Sequence, residues 1–226
     1  KGIPSASMMK MTWVVTTKAD ASMKARLVVQ GFTDARLGKI QTAAPTNSRR
    51  ARQVFLTTAA SLGFQCYKGD VKCAFLQGDI QEVDEDVDPS ETKELREDVF
   101  CEPTPELAAK LGLEHHQCVR LLKAVYGLVN APRRWYQRVS KDFASLNGVE
   151  NTTEPCLWTF RNPKGEIIGL ILLYVDDALI ACSPGSDGKT LLKDIKSLYE
   201  WGTWETKAFT QCGAQIVQAY DKHLKQ

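Results

Sequence analysis

No two of the seven cysteines form a CxxC pair, and their number is odd. Scattered this way, they argue against a disulfide framework and for a reducing compartment. An excess of one charge is also missing. A net charge of +2 is too small to mark a nucleic-acid binder by bulk charge, so any basic surface has to come from local clustering. The longest apolar run, Ile167 to Tyr174, is far too short to span a bilayer, and no signal peptide opens the chain. The first residue is Lys1 rather than Met, which reads as a piece of something longer. Internal repeats and low-complexity tracts are absent too. What remains is ordinary globular composition, 43% hydrophobic and 25% charged in 226 residues, enough for one large domain or two small lobes.

The pattern of elements is mixed. "MTWVVTTKADASMKARLVVQGF" predicts two strands, Trp13 to Thr17 and Lys24 to Gln30, around an Ala-Asp-Ala-Ser turn. Asn47 or Ser48 can cap a helix whose Val54, Phe55, Thr58, Ala59 and Leu62 share a face and which Gly63 ends. "FQCYKGDV" reads as a buried strand reaching Asp70. A charged, aperiodic loop follows, then a short helix with Thr104 as N-cap, Pro105 at its first position and Gly112 after its end. Trp135, Val139, Phe143 and Leu146 form the stripe of a longer helix that Asn147-Gly148 stops. Two apolar strands flank Val175-Asp176-Asp177, a helix carries Leu191, Ile195, Leu198 and Tyr199, and a last strand pair surrounds Gln211-Cys212-Gly213. From Phe64 onward the order is strand, helix, hairpin, helix, strand, the βαββαβ succession of a ferredoxin-like split unit. In that topology Asp70 is expected beside Asp176 and Asp177.

Adjacent carboxylates between two apolar runs pose a chemical question. A bare carboxylate is costly to bury, and two neighbours ionise together in a dry place only if a cation holds them. A hairpin turn can aim both toward one point, whereas a regular strand would send them to opposite faces. Carboxylates at strand ends suit hard divalent cations, above all Mg²⁺. A solvated acidic turn explains the same residues without a metal.

A resemblance decides between these readings. "YVDD" between apolar strands, "GDVKCAFLQGD", "KAVYGLVNAPRRWY" and "KARLVVQGF" together resemble the polymerase segment of copia-type long-terminal-repeat retrotransposon polyproteins, from about Trp13 to Val217. The resemblance implies an α+β fold, the fingers and palm of a reverse transcriptase, with the palm a ferredoxin-like antiparallel sheet packed on helices. Residues 1–63 would be fingers. Residues 64–226 would be palm, with a fingers segment and an acidic insertion at about 79–98. No thumb or RNase H segment is expected within this chain, and other parts of a Pol polyprotein would be its partners.

The implied activity is RNA-directed DNA polymerisation on a primed RNA or DNA template with deoxynucleoside triphosphates, without a membrane. The implied location is cytoplasmic, with a virus-like particle as a further setting. Asp70, Asp176 and Asp177 match the catalytic, metal-binding triad and the Val71 carbonyl a backbone ligand, for two Mg²⁺ ions or Mn²⁺ in their place. Phe75, five residues after Asp70, matches the aromatic that closes over the sugar 2′ position. Gly127 matches the loop beneath the nucleotide. Lys24 and Arg26, two apart and so on one strand face, resemble the residues that grip the triphosphate. Gln211, Cys212 and Gly213 match the primer grip.

Other features read as ordinary structure. Asp84, Asp86 and Asp88 open like an EF-hand loop, but Pro89 and Leu95 stand where Gly and Glu are needed. His115, His116 and Cys118 have no partner pair at zinc-finger spacing and read as a surface turn. Trp135 reads as core. Cys66, Cys73, Cys156 and Cys182 read as small core residues.

Overall fold

The computed structural model describes residues 8–17, 21–79 and 99–219. Most of the acidic stretch near 79–98, with its EF-hand-like spacing, lies outside these residues, as do the last residues of the chain. The elements in chain order are β1 (Met8–Thr17), β2 (Met23–Val29), α1 (Arg49–Ser61), β3 (Gln65–Val71), β4 (Val99–Glu102), α2 (Pro105–Leu111), β5 (Val119–Leu121), α3 (Ala131–Ser145), β6 (Gly148–Glu150), β7 (Leu157–Arg161), β8 (Ile167–Tyr174), β9 (Asp177–Cys182), α4 (Ser186–Leu198), β10 (Trp201–Thr206), β11 (Ala208–Gln211) and β12 (Ala214–Val217). This is a mixed α+β chain in two compact units. One holds the described residues of Lys1–Ala44 and Gly78–Trp135, the other those of Pro45–Gln77 and Tyr136–Gln226. Among the described residues no helix is long and apolar enough to cross a membrane.

In the first unit the strands stand in the order β2-β1-β4-β5. β1 and β2 pair antiparallel from Met11 opposite Val29 to Thr17 opposite Met23. β1 begins five residues earlier than its Trp-Val-Val-Thr-Thr core predicts, because Met8–Lys10 pairs in parallel with Phe100–Glu102 of β4. Caps define α2 as predicted. The Thr104 hydroxyl accepts from the Leu107 N–H, Pro105 stands in the first turn, and Gly112 turns left-handed at φ +66°. A salt bridge with little exposure, Arg36 on Asp34, holds the loop after β2: Nη2 meets Oδ2 at 2.9 Å and Nε meets Oδ1 at 3.1 Å.

In the second unit one sheet runs β10-β3-β9-β8-β7-β6, every neighbour antiparallel. Its core follows the strand–helix–hairpin–helix–strand succession β3, α3, β8-β9, α4, β10, and β7 and β6 extend the sheet beyond β8. β8 and β9 are apolar almost throughout because they are central: Leu170 to Leu173 and Ala178 to Cys182 are all buried. Phe143 of α3 packs edge-on against Trp158 and Phe160 of β7, with ring centroids 5.6 and 6.1 Å apart. Asp142 ties α3 to the end of α4, accepting from Arg138 Nε at 2.8 Å and from the Tyr199 hydroxyl at 2.7 Å.

The start of α1 resolves one alternative. Ser48 is the cap, its hydroxyl oxygen accepting from the Ala51 N–H at 3.0 Å, while Asn47 donates instead to the Leu173 carbonyl at 2.7 Å. The buried stripe of α1 is Ala51, Phe55 and Ala59; Val54 and Leu62, expected on that face, are exposed. The i, i+4 rule fixes a stripe's direction but not which of two adjacent stripes faces inward.

Cysteine burial is mostly as read. Cys66, Cys156 and Cys182 are core, but Cys73 is exposed, because φ +48° carries it out of the strand and onto a turn. Burial pushes the thiol of Cys66 up to about 11 and those of Cys101, Cys156 and Cys182 up to about 12. Thiolate, not thiol, reacts with alkylating agents. In the native chain at neutral pH, iodoacetamide is therefore expected to label the exposed Cys73 and Cys212 and to spare Cys66, Cys101, Cys156 and Cys182 until denaturant is added. Mass spectrometry of the peptides reads this, and labelling of the last four at native rates would contradict the packing.

Candidate functional site

Tyr174 of β8 pairs with Asp177 of β9, leaving Val175-Asp176 as a two-residue turn. Val175 has φ +58° and Asp176 is not in the left-handed region, the pattern of a type II′ turn with valine where glycine is usual. A β-branched residue there is strained. One anchor for the turn comes from the neighbouring strand, where the Val71 N–H donates to the Asp176 carbonyl at 2.9 Å. The backbone of Asp176 therefore stitches the hairpin to the end of β3.

Strand register sets the side chains. Asp70 stands directly opposite Asp177 across β3 and β9, so both point to the same side of the sheet. Lys68, two residues before Asp70, shares that side, and Glu205 of β10 stands opposite Lys68. The Lys68 ammonium lies 3.6 Å from Asp177 Oδ1 and 3.3 Å from Glu205 Oε1. β10 slips by one residue against β3 between Trp201 and Trp204, a bulge of the kind that re-aims side chains. Gly202 lies in that bulge, and a Cβ there would come within 3.0 Å of Asp70 Oδ2.

Burial raises the pKa of Asp177, Lys68 opposes the rise, and the Asp176 carboxylate adds to it. Burial draws the Lys68 pKa down, but Asp177 and Glu205 outweigh it and the net direction is up. Among the described residues no group of three or more histidine, cysteine or acidic side chains forms a metal cage. The donors on offer are nevertheless carboxylate oxygens with a backbone carbonyl, the hard set that Mg²⁺ or Mn²⁺ prefers. By the chemistry of those donors, these residues would suit a divalent cation.

The same unit holds Phe75 and the last hairpin. Phe75 is buried in a short 3₁₀ segment, Ala74–Gln77. Gln77 clamps that segment to the chain just before β10: its amide donates to the Glu200 carbonyl at 2.9 Å and its side-chain oxygen accepts from the Glu200 N–H at 2.8 Å. Gln211 is buried at the end of β11, and Cys212 and Gly213 form an exposed two-residue turn with φ +46° and +72°. Arg52 of α1 pins this turn, donating to the carbonyls of Gln211 at 2.9 Å and Cys212 at 3.3 Å. Burial raises the pKa of Cys212, Arg52 opposes this, and Asp177 adds to it.

Lys24, Arg26 and Gly127 belong to the other unit. Lys24 is exposed on β2, and Arg26 of the same strand lies over the Tyr126 ring at 5.7 Å from its centroid. Gly127 meets β2 at its backbone: a Cβ there would stand 2.0 Å from the Val29 carbonyl oxygen. The sequence reading missed Lys68 and Glu205, and it read Arg52, with Arg49 and Arg50, as either a phosphate contact or an exposed helix start, not as the residue that holds the Gln211-Cys212-Gly213 turn. For Lys68 the signal was present, since strand alternation puts it on the face of Asp70. Glu205 and Arg52 depend on partners far along the chain.

A family model described as reverse transcriptase (RNA-dependent DNA polymerase) matches residues 4–211. The retrovirus-related Pol polyprotein from transposon TNT 1-94 of Nicotiana tabacum is 32% identical over 194 residues, 83% of this chain and 13% of that protein. The Pol polyproteins from transposons RE2 and RE1 of Arabidopsis thaliana are each 29% identical, over 86% and 82% of this chain. This chain spans only 12% of the length of each of these two.

Proposed function

Because this chain belongs to the reverse transcriptase (RNA-dependent DNA polymerase) family, we propose that it is the polymerase segment of a copia-type retrotransposon Pol polyprotein and extends a primer 3′ hydroxyl on an RNA or DNA template. The observation that carries this reading is Asp70 opposite Asp177, with the Asp176 carbonyl bonded to the Val71 N–H. Asp70, Asp176, Asp177 and the Val71 carbonyl would hold two Mg²⁺ ions, with Mn²⁺ able to replace them. When bound, the ions supply Lewis acidity at the attacking and leaving oxygens of phosphoryl transfer. The sheet unit with β3, β8, β9 and β10 acts as the ferredoxin-like palm, and the unit with β1 and β2 as fingers.

The protein's own work is positioning and charge. Lys24 and Arg26 bind the triphosphate, the loop at Gly127 lies beneath the nucleotide, and the Gln211-Cys212-Gly213 turn holds the primer end. Arg52 fixes that turn through the Gln211 and Cys212 carbonyls. Template sequence is read by base pairing.

Phe75 closes over the sugar. Replacing it by the smaller valine leaves room for a 2′ hydroxyl. Phe75→Val is expected to raise the ratio of ribonucleotide to deoxyribonucleotide kcat/KM by about tenfold or more. Steady-state incorporation of matched nucleotide pairs measures it, and an unchanged ratio would remove Phe75 from the sugar site.

Primer extension tests the whole reading. Labelled primer on an RNA template should grow with deoxynucleotides and Mg²⁺, stop on chelation and resume when Mg²⁺ is restored. A second reading, a copy that binds nucleic acid without polymerising, draws on the Lys68 ammonium beside Asp177 and the lack of a closed carboxylate cage among the described residues. Tight binding of primer–template without nucleotide addition would favour it.

A further inference from the structure

The Lys68 ammonium lies within 4 Å of Asp177, a proposed metal ligand, and the polymerase chemistry gives it no task. Its side chain is 15% exposed, that of Asp177 28% and that of Glu205 41%. It reaches both carboxylates at once, Asp177 at 3.6 Å and Glu205 at 3.3 Å. The two partners are not equivalent. Glu205 stands directly opposite Lys68 on β10, so that pair is fixed by strand register. Asp177 stands opposite Asp70, so Lys68 meets it on the diagonal.

We propose that Lys68 is a positioning residue that serves as the site's resident counter-ion, holding Asp177 while the site is metal-free and moving fully onto Glu205 when a divalent cation takes Asp177. The inference rests on the carboxylate site described above being the metal site. Its physical basis is the cost of leaving a mostly buried lysine side chain unpaired. With Glu205 in register, Lys68 can give up Asp177 and still keep a partner. Without Glu205 it could not, and a metal would have to overcome that cost. The arrangement makes cation loading an exchange instead of a simple capture, and it keeps Asp177 from being pushed away by Asp176 before the exchange.

The roles predict opposite signs. Lys68→Gln removes the competitor and should tighten Mn²⁺ binding by about fivefold, the scale of a partly exposed ion pair. Glu205→Gln removes the retreat and should weaken Mn²⁺ binding by a similar factor. Simple loss of a negative charge would also weaken binding, so the double variant decides. If Glu205 acts through Lys68, adding Glu205→Gln to Lys68→Gln changes the affinity by less than about twofold.

Electron paramagnetic resonance of free Mn²⁺, with the full chain and no nucleic acid, reads all of these, and metal-free thermal unfolding checks that each variant is folded. Asp176→Asn is the control. If Asp176→Asn abolishes Mn²⁺ binding while Lys68→Gln leaves it unchanged or weaker, the counter-ion proposal fails and the metal site stands. An equal loss from Glu205→Gln in both backgrounds overturns it as well. If Asp176→Asn leaves Mn²⁺ binding intact, the metal site itself is misassigned.

Discussion

Asp176→Asn is expected to lower single-turnover primer extension by about three orders of magnitude or more, because the proposed site loses a charged ligand where charge must be neutralised. The fold should survive. What Asp176 contributes to the structure in β3 is its backbone carbonyl, bonded to the Val71 N–H at 2.9 Å, and asparagine keeps it. The substitution even relieves a strain, since the Asp176 charge helps to raise the pKa of Asp177. A carboxyl whose folded pKa is raised adds stability that is present below its unfolded value and is lost as pH rises through the folded value. The metal-free chain should therefore lose this contribution as pH climbs through the acid range. In Asp176→Asn that part of the slope should shrink, because burial remains and the like charge is gone. Urea unfolding at several acid pH values, run beside the extension assay, separates the two effects. Equal extension by parent and variant would end the assignment of Asp176 as a ligand.

What could be read from the sequence, and what could not, divides by the range of the interactions. Ser48 and Thr104 announce helix starts because a cap acts within one turn, and Gly112 announces an end for the same reason. The α3 stripe was legible because Val139 and Phe143 are one turn apart and both face the core. The opposition of Asp70 and Asp177 followed from element order, since a hairpin laid against the first strand leaves few registers in which the apolar faces agree. The parallel pairing of Met8–Lys10 with Phe100–Glu102 was not legible, because Met-Met-Lys carries no alternation and its partner lies some ninety residues away. β6 was missed too: it is only three residues long and owes its place to β7, which itself went unread. At the site, the carboxylates stood out because acids between apolar runs are rare, whereas Arg52 at a helix start read as either a phosphate contact or an exposed arginine. Only the return of the chain at Gln211 and Cys212 gives Arg52 its carbonyl partners.

Gly127→Ala is expected to cost stability on the order of 3–5 kcal/mol, from left-handed backbone and overpacking together. For a chain of this length that is a fall in Tm of about 10 °C. Gly127 has φ +90°, and an added Cβ would lie 2.0 Å from the Val29 oxygen, 2.9 Å from its nitrogen and 3.0 Å from its carbonyl carbon. All of these are backbone atoms of β2, so no rotamer change can make room. The adjacent Val29 N–H donates to the Tyr126 carbonyl at 2.8 Å, and moving the loop away breaks that bond too. Gly38 supplies the control in the same unit. Its φ is +83°, but nothing lies within 4 Å of its would-be Cβ. Gly38→Ala should cost only about 1–2 kcal/mol, the backbone contribution alone. Urea titration of both variants measures the difference. If the two cost the same, the close approach to β2 contributes nothing and the left-handed backbone alone accounts for the loss.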